Sequence, residues 1–298
     1  MPTTPSPTTS PRSAAPAEPM PELPEVRVHA ERLSADYRGS KLTGFVPLSF
    51  TALKTFSPAP DVAFGHELVG VGTRGKYLLM DFGPAVFVIH LMQGGRLTPD
   101  PKLSKKPRGG LCRWKFDGRD ALLFTEAGTE KKAGVWVIVP PVDDVEPLAH
   151  LGPEADQLSA DELGSILDDA KGARLHGVLR DQRRLAGLGR RLANEICWTA
   201  QLSPFAACNK IDDEGRARLG AAIVSCVQES TDDERTRDTM VKSAARLAHV
   251  HHRKGETCDR CGDVIREVSY NAYQVDYCAT CQTAGKILAD NTTSKFLK

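Results

Sequence analysis

The chain has 298 residues, 41% of them hydrophobic, enough for one large or two modest cores, and two domains are the expectation. No run approaches the roughly 18 consecutive apolar residues of a membrane span, and the first residues lack the apolar stretch of a secretory signal. A cytosolic protein without a membrane partner is expected, and the net charge of +1 says little about other partners.

Residues 1 to 19 hold six of the twenty prolines, several Ser and Thr, and no large apolar residue, so a disordered or non-native leader through residue 20 is predicted. A first helix is predicted from Glu22 to Leu33, because Val26, Ala30 and Leu33 recur at helical spacing. Short β-branched and aromatic segments follow at Lys76–Asp81, Val86–Met92, Leu111–Phe116, Leu122–Thr125 and Val135–Val139, separated by turn residues. They predict an antiparallel sandwich ending near Pro141. Helical signals then take over, first at Ser159, which has capping-box spacing to Glu162, and then over about 171–182, 189–201, 212–229 and 237–250. Charge changes along this stretch. Pro141 to Ala170 carries nine acidic residues and no Lys or Arg, whereas Lys171 to Ala200 carries seven basic residues against two acidic ones. Such a basic face suits a phosphate backbone, and a solvated helix surface equally well.

Cys258-x2-Cys261-x16-Cys278-x2-Cys281 supplies two chelating thiolate pairs around a strand-forming stretch. Four soft ligands in this spacing predict one structural zinc ion, with no open position for catalytic water. Cys112, Cys197, Cys208 and Cys226 have no pattern and read as small buried thiols. His249, His251 and His252 lie just upstream of the finger, as spare ligands or as helix-end or phosphate-contacting groups.

The segment Met20-Pro21-Glu22-Leu23-Pro24-Glu25-Val26 resembles the N-terminus of the formamidopyrimidine-DNA glycosylase and endonuclease VIII family. In that family the initiator Met is removed, and the exposed proline is a secondary-amine nucleophile that attacks the sugar C1′ of a damaged nucleotide. An α-amine of pKa about 8 is far less protonated near neutrality than a lysine at about 10.4. The resemblance implies Pro21 as nucleophile and Glu22 as proton shuttle. Arg74-Gly75-Lys76-Tyr77-Leu78-Leu79 resembles the family hairpin whose lysine contacts DNA and assists catalysis, which implies that role for Lys76. His90 to Leu97 is similar to the following strand and intercalation loop, Leu151 to Glu154 to the entry into the helical domain, and Asp181 to Ile196 to the helix–two-turn–helix motif. The implied fold is α+β multidomain. A catalytic β-sandwich with its N-terminal helix (21–150) precedes a helix–two-turn–helix DNA-binding domain (151–252), a zinc-finger hairpin (253–285) and a tail (286–298).

The resemblance implies a bifunctional DNA glycosylase and abasic-site lyase in base excision repair of damaged, oxidised bases. Its expected partner is damaged double-stranded DNA, its expected state a monomer, and its expected location the bacterial cytoplasm, at the nucleoid. The implied DNA contacts are Gln93, Arg108, Lys131, Lys132, His176, Arg190 and Tyr273. Several positions depart from the commonest family pattern. Gln93 stands where a Met usually fills the gap of the flipped base, and Glu130 to Gly134 replaces a loop that carries an Arg and a Phe wedge. Arg190 replaces a phosphate-binding Asn, Tyr273 or Gln274 sits where an Arg usually reaches DNA, and the loop near Ser230–Asp238 differs from the Gly-rich lesion-binding loop of the 8-oxoguanine branch. These changes leave room for an alternative, a catalytically deficient lesion-binding paralogue. An unrelated zinc-ribbon module explains the cysteines but not Met20–Val26. Taken singly, Lys76 is also a plain strand lysine, and Glu195 either aims its helix at the site or makes a structural ion pair. While residues precede it, the Pro21 nitrogen is a tertiary amide without a basic lone pair, so the chemistry requires a chain that starts at Met20 or is cleaved there.

Overall fold

The computed structural model describes residues 20–127, 132–240, 245–270 and 273–289, and for Tyr270 and Tyr273 the backbone alone. The leader to residue 19, Lys131 with its neighbours 128–130, and the tail from residue 290 lie outside the described residues. No helix among the described residues is long and apolar enough to cross a membrane.

Helix α1 (Leu23–Tyr37) leads into eight strands: β1 (Leu42–Pro47), β2 (Gly70–Arg74), β3 (Tyr77–Asp81), β4 (Val86–His90), β5 (Gly95–Asp100), β6 (Gly110–Phe116), β7 (Arg119–Glu126) and β8 (Gly134–Ile138). They form two antiparallel four-stranded sheets, ordered β1-β6-β7-β5 and β2-β3-β4-β8. Phe87, Trp114, Phe124, Leu78 and Ile89 fill the space between them. The sandwich read from the sequence is present, with three more strands than the β-branched and aromatic segments marked. Those three, β1, β2 and β5, lie at sheet edges and carry Gly44 and Pro47, Gly70 and Gly72, and Gly95 and Pro99. Edge strands tolerate Gly and Pro because one side of the ladder is open, and these residues hide the strand signal. Strand β4 is buried on both faces, since Val86 and Val88 pack outward against Ile138 and Leu148.

The second half holds α2 (Ala160–Asp169), α3 (Leu175–Arg180), α4 (Arg190–Thr199) and α5 (Asp213–Arg235) around a core of Leu167, Leu179, Leu192, Ile196 and Leu219. The Ser159 capping box forms: Ser159 Oγ accepts from Glu162 N (3.2 Å), and Glu162 Oε2 accepts from Ser159 N (2.8 Å). Helix α3 is shorter than expected, because Lys171 takes a left-handed φ of 50° and Arg174 bridges Ala207 instead of helix neighbours. Ser230–Arg235, expected in a loop, is the last part of α5. The helix expected over 237–250 is absent from the described residues there. The described residues there are irregular, and the His249, Val250 and His251 N–H groups donate to the Glu195 carboxylate at 2.8, 3.1 and 2.8 Å. A side chain distant in sequence satisfies donors that a helix would otherwise need. The finger follows, with β9 (Ile265–Tyr270) paired to β10 (Tyr273–Cys278) and a short α6 (Ala279–Thr283).

Helix α1 joins the halves. Val26, Ala30, Leu33 and Tyr37 face the sandwich core, whereas Leu23 is buried in the helical core. Leu23 N donates to Gly187 O at 3.0 Å, and its side chain lies against Gly187, which has a φ of 97°. Removing that plug leaves a cavity where the halves meet. Leu23→Ala is expected to cost about 2–4 kcal/mol, read from the urea midpoint.

Candidate active site and zinc centre

Both halves wall a cleft of about 490 Å³, lined by Met20, Glu22, Lys76, His90, Gln93, Arg180 and Arg190 among others. Pro21, between the lining residues Met20 and Glu22 in the chain, is buried. Glu25 Oε2 accepts from Glu22 N at 2.7 Å at the start of α1, and the Glu22 side chain reaches across to α4. There Glu22 Oε2 accepts from Gly189 N (3.0 Å) and Leu192 N (3.1 Å), and Oε1 from Arg191 N (3.0 Å). A carboxylate thus occupies the positive end of a ten-residue helix, where open N–H groups and the dipole favour negative charge. Burial pushes the Glu22 carboxyl up, but Arg191, Lys76 and the Leu192 N–H outweigh it and hold it below the usual carboxylate range. Gly189 makes this approach possible: a Cβ there would stand 2.3 Å from Glu22 Oε1.

Behind the carboxylate lies a second charged layer. Arg191 Nη2 donates to Glu25 Oε1 (2.7 Å) and Nη1 to Ser230 Oγ (2.9 Å), with both ions of the pair buried. Gln182 fixes the turn before α4, donating to Arg180 O and Leu188 O and accepting from Gly187 N.

Lys76 follows Gly75 at the tip of the β2–β3 hairpin. Desolvation lowers its pKa, with Glu22 opposing the change. His90 pairs with Tyr77 across β3 and β4, and its Nδ1 accepts from Met92 N (3.0 Å), leaving the proton of the neutral ring on Nε2. Burial, assisted by Lys76, lowers its pKa to about 4. The sequence reading passed over His90 as a catalytic-cleft group because, at the end of an apolar strand, it looks like any strand terminus.

The expected DNA contacts separate. Gln93 and Arg190 line the cleft, and Arg108 and Lys132 are exposed. Lys131 lies outside the described residues, as does the side chain of Tyr273. His176 differs from expectation: it is 4% exposed, and burial lowers its pKa to about 3, so its ring is interior rather than on an open surface. It belongs with a buried polar group in which Asn194 Nδ2 donates to Asp276 Oδ2 (3.2 Å) and lies 2.9 Å from His251 Nδ1. His252 N also donates to Asp276 Oδ2 (2.9 Å). Glu195, which receives the three N–H groups of residues 249 to 251, is a structural anchor outside the cleft lining.

The four finger cysteines converge, with their sulfurs all within 4.8 Å of one another. Cys258 to Cys281 is 3.8 Å and Cys261 to Cys278 is 3.4 Å. Zinc–sulfur bonds of about 2.3 Å in a tetrahedron give edges of about 3.8 Å, so the residues fit one structural zinc ion. Trp198 of α4 docks this centre. Its Nε1 lies 3.4 Å from Cys258 Sγ, its ring stacks on His249 at 4.7 Å, and Arg260 covers the ring at 4.0 Å. Cys112, Cys197, Cys208 and Cys226 are free and buried.

Fold and site together define a two-bodied protein with a charged cleft and an appended zinc finger. A family model described as the formamidopyrimidine-DNA glycosylase N-terminal domain matches residues 20–129, and one described as the zinc finger found in FPG and IleRS matches residues 255–284. An uncharacterized formamidopyrimidine-DNA glycosylase-like protein of Mycobacterium tuberculosis is 37% identical over 155 residues, covering 50% of this chain and 94% of the relative. The formamidopyrimidine-DNA glycosylase of Chloroflexus aurantiacus is 29% identical over 280 residues, 88% of this chain and 98% of the relative. Among solved structures, the MutM (Fpg) protein of Thermus thermophilus superposes with a TM-score of 0.75 at 25% identity, covering 88% of this chain and 98% of that one. Lactococcus lactis Fpg in complex with abasic-site DNA shares the fold with a TM-score of 0.77 at 21% identity, over 88% and 99%. The chain belongs to the formamidopyrimidine-DNA glycosylase and endonuclease VIII family.

Chelating the zinc, or replacing Cys278 by Ser, is expected to unfold the finger while the sandwich stays folded, checked by metal content and by proteolysis beyond Arg253. His29, like His90, has a pKa lowered by burial to about 4. These rings are neutral in the folded protein but protonate near pH 6.5 when unfolded, so their contribution is fully present above about pH 6.5 and is lost as pH falls toward 4. Each is worth up to about 3 kcal/mol. The urea midpoint should therefore drop across that window, and less steeply in His90→Gln.

Proposed function

We propose that this protein is a DNA glycosylase with abasic-site lyase activity, acting in base excision repair on damaged, oxidised bases of duplex DNA. The observation that carries the reading is the cleft that Glu22, the residue after Pro21, lines together with Met20, Lys76, Arg180 and Arg190. The nucleophile requires a chain that begins at Pro21, because only then is its nitrogen a secondary amine. The neutral amine attacks C1′ of the damaged nucleotide, the glycosidic bond breaks, and the base leaves with the electron pair and takes up a proton. The new ammonium gives its proton to the Glu22 carboxylate, which passes it to the sugar ring oxygen as the C1′–O bond opens to an iminium. Loss of a C2′ proton then expels the 3′ phosphate, and water releases the product from Pro21.

The environment of Glu22 suits this task. Ionised by its α4 donors, it starts as a proton acceptor, and a buried position keeps it out of exchange with bulk water. Lys76 supplies a cation beside it for ring opening and a phosphate. Arg180, Arg190 and Gln93 offer donors to the backbone and to the space left by an extruded base. Relatives named as formamidopyrimidine-DNA glycosylases over 88% of this chain support the reading.

Borohydride trapping on abasic-site duplex tests it. Protein beginning at Pro21 should form a covalent adduct, and Pro21→Gly should lose most of it. Glu22→Gln should slow adduct formation by about 10²-fold or more while binding DNA within a few-fold of the parent. The trapping rate should rise toward the amine pKa of about 8, with any Glu22 limb below the usual carboxylate range. Absence of an adduct on every abasic or oxidised duplex tried would sink the enzyme reading.

A further inference from the structure

The cleft has a rim that this chemistry does not use. Tyr77, His90 and Gly134 stand in register across β3, β4 and β8, at the end of the sheet that walls the cleft. Beyond β8 the chain at 52–55 extends that row: Leu53 bridges Val135, Val135 N donates to Ala52 O (2.9 Å), and Lys54 N donates to Val135 O (2.8 Å). The Lys54 side chain crosses Gly134, where a Cβ would come within 2.3 Å of its Cε. The row that starts at the cleft wall therefore ends at the turn before Leu53.

That turn is closed by Ala52 N donating to Ser49 O (3.2 Å), and Phe50 stands at its corner, fully exposed at 102%. Its neighbours are cationic. Leu48 N and Ser49 N both donate to Leu111 O, which places the turn beside the exposed Arg108, while Lys54 flanks it along the strand. Lys132, whose N donates to Glu126 Oε1 (3.2 Å), leads into β8 at the same end. Single exposed apolar residues are ordinary. A phenyl ring exposed on a turn, at the end of the strand row that begins at the cleft wall and with three cations on the segments that meet there, has the composition of a base-stacking platform.

We infer that Phe50 stacks on a nucleobase unstacked from the DNA at the cleft, while Lys54, Arg108 and Lys132 hold the adjoining phosphates. This rests on the DNA reading above, but not on Pro21 chemistry. Phe56, equally exposed, makes a control: Thr55 Oγ1 accepts from Val137 N, so position 56 runs toward Ile138 and away from the His90–Gly134 row.

The test is equilibrium binding of the full chain to duplex carrying a stable abasic analogue opposite a fluorescent base. Phe50→Ala should weaken binding roughly 5- to 100-fold without changing the salt slope, and should abolish the fluorescence change of the opposite base. Phe50→Trp should restore both, Phe56→Ala should leave both intact, and Lys54→Ala should lower the salt slope by about one. Phe50→Ala binding as tightly as wild type overturns the inference, as does an equal loss in Phe56→Ala. A wild-type chain that binds no duplex at all overturns the DNA reading itself, and this inference with it.

Discussion

One carboxylate fixes the geometry of this protein. Glu22 caps α1, the helix that packs on the sandwich, yet its oxygens end on three backbone N–H groups at the start of α4 in the helical half. Each hydrogen bond to a charged group contributes about 1.5–3 kcal/mol when formed and costs more when one partner is left buried alone. The two halves therefore cannot separate or slide without uncovering a buried charge. Gly187 and Gly189 are the condition for it, the one admitting a left-handed turn under Leu23 and the other leaving room for the carboxylate. The residue that locks the halves together is also the acid–base candidate of the cleft, so fold and site share one constraint.

Helix α4 carries that constraint onward. Its first turn receives Glu22, Arg191 pairs with Glu25, Glu195 gathers the N–H groups of residues 249 to 251, and Asn194 reaches Asp276 on β10. Trp198, at its far end, meets Cys258 of the finger. Successive positions of one ten-residue helix thus set the places of α1, the irregular chain after α5, and the zinc centre. The finger supplies only Cys258, Ile265 and Cys278 to a small core shared with Trp198 of α4 and Val250, and four thiolates on one ion make up for it.

Charge in the cleft is arranged by burial as much as by pairing. Glu22 is ionised against the burial that would neutralise it, because Arg191, Lys76 and helix donors face it. His90, close to Lys76 and with no carboxylate partner among the described residues, stays neutral. Arg180 and Arg190 add fixed positive charge at the mouth, where a polyanion would approach. A chain with almost no net charge can present such a surface because the acidic run from Pro141 to Ala170 is spent elsewhere, on α2 and the segment before it.

Much of this was legible in the sequence. The two Cys pairs specify their own geometry, because chelate spacing is local, and the Ser159 capping box closes within four residues. Runs of β-branched and aromatic residues marked the four central strands, whose partners lie on both sides, and the apolar edge strand β8, and the Met20–Val26 heptad with Lys76 marked the cleft. The edge strands β1, β2 and β5 were hidden by Gly and Pro that only an edge tolerates. The chain over 237–250 has helical composition, but Glu195, more than fifty residues away along the chain, takes the N–H groups of 249 to 251. His176 carries nothing in its sequence surroundings to say that it lies beneath Asn194 and not on a surface. Local spacing determined which groups exist and what they can bind. Tertiary structure alone decided which of them are buried, which donors the carboxylates receive, and hence which are charged, because those depend on contacts between segments far apart along the chain.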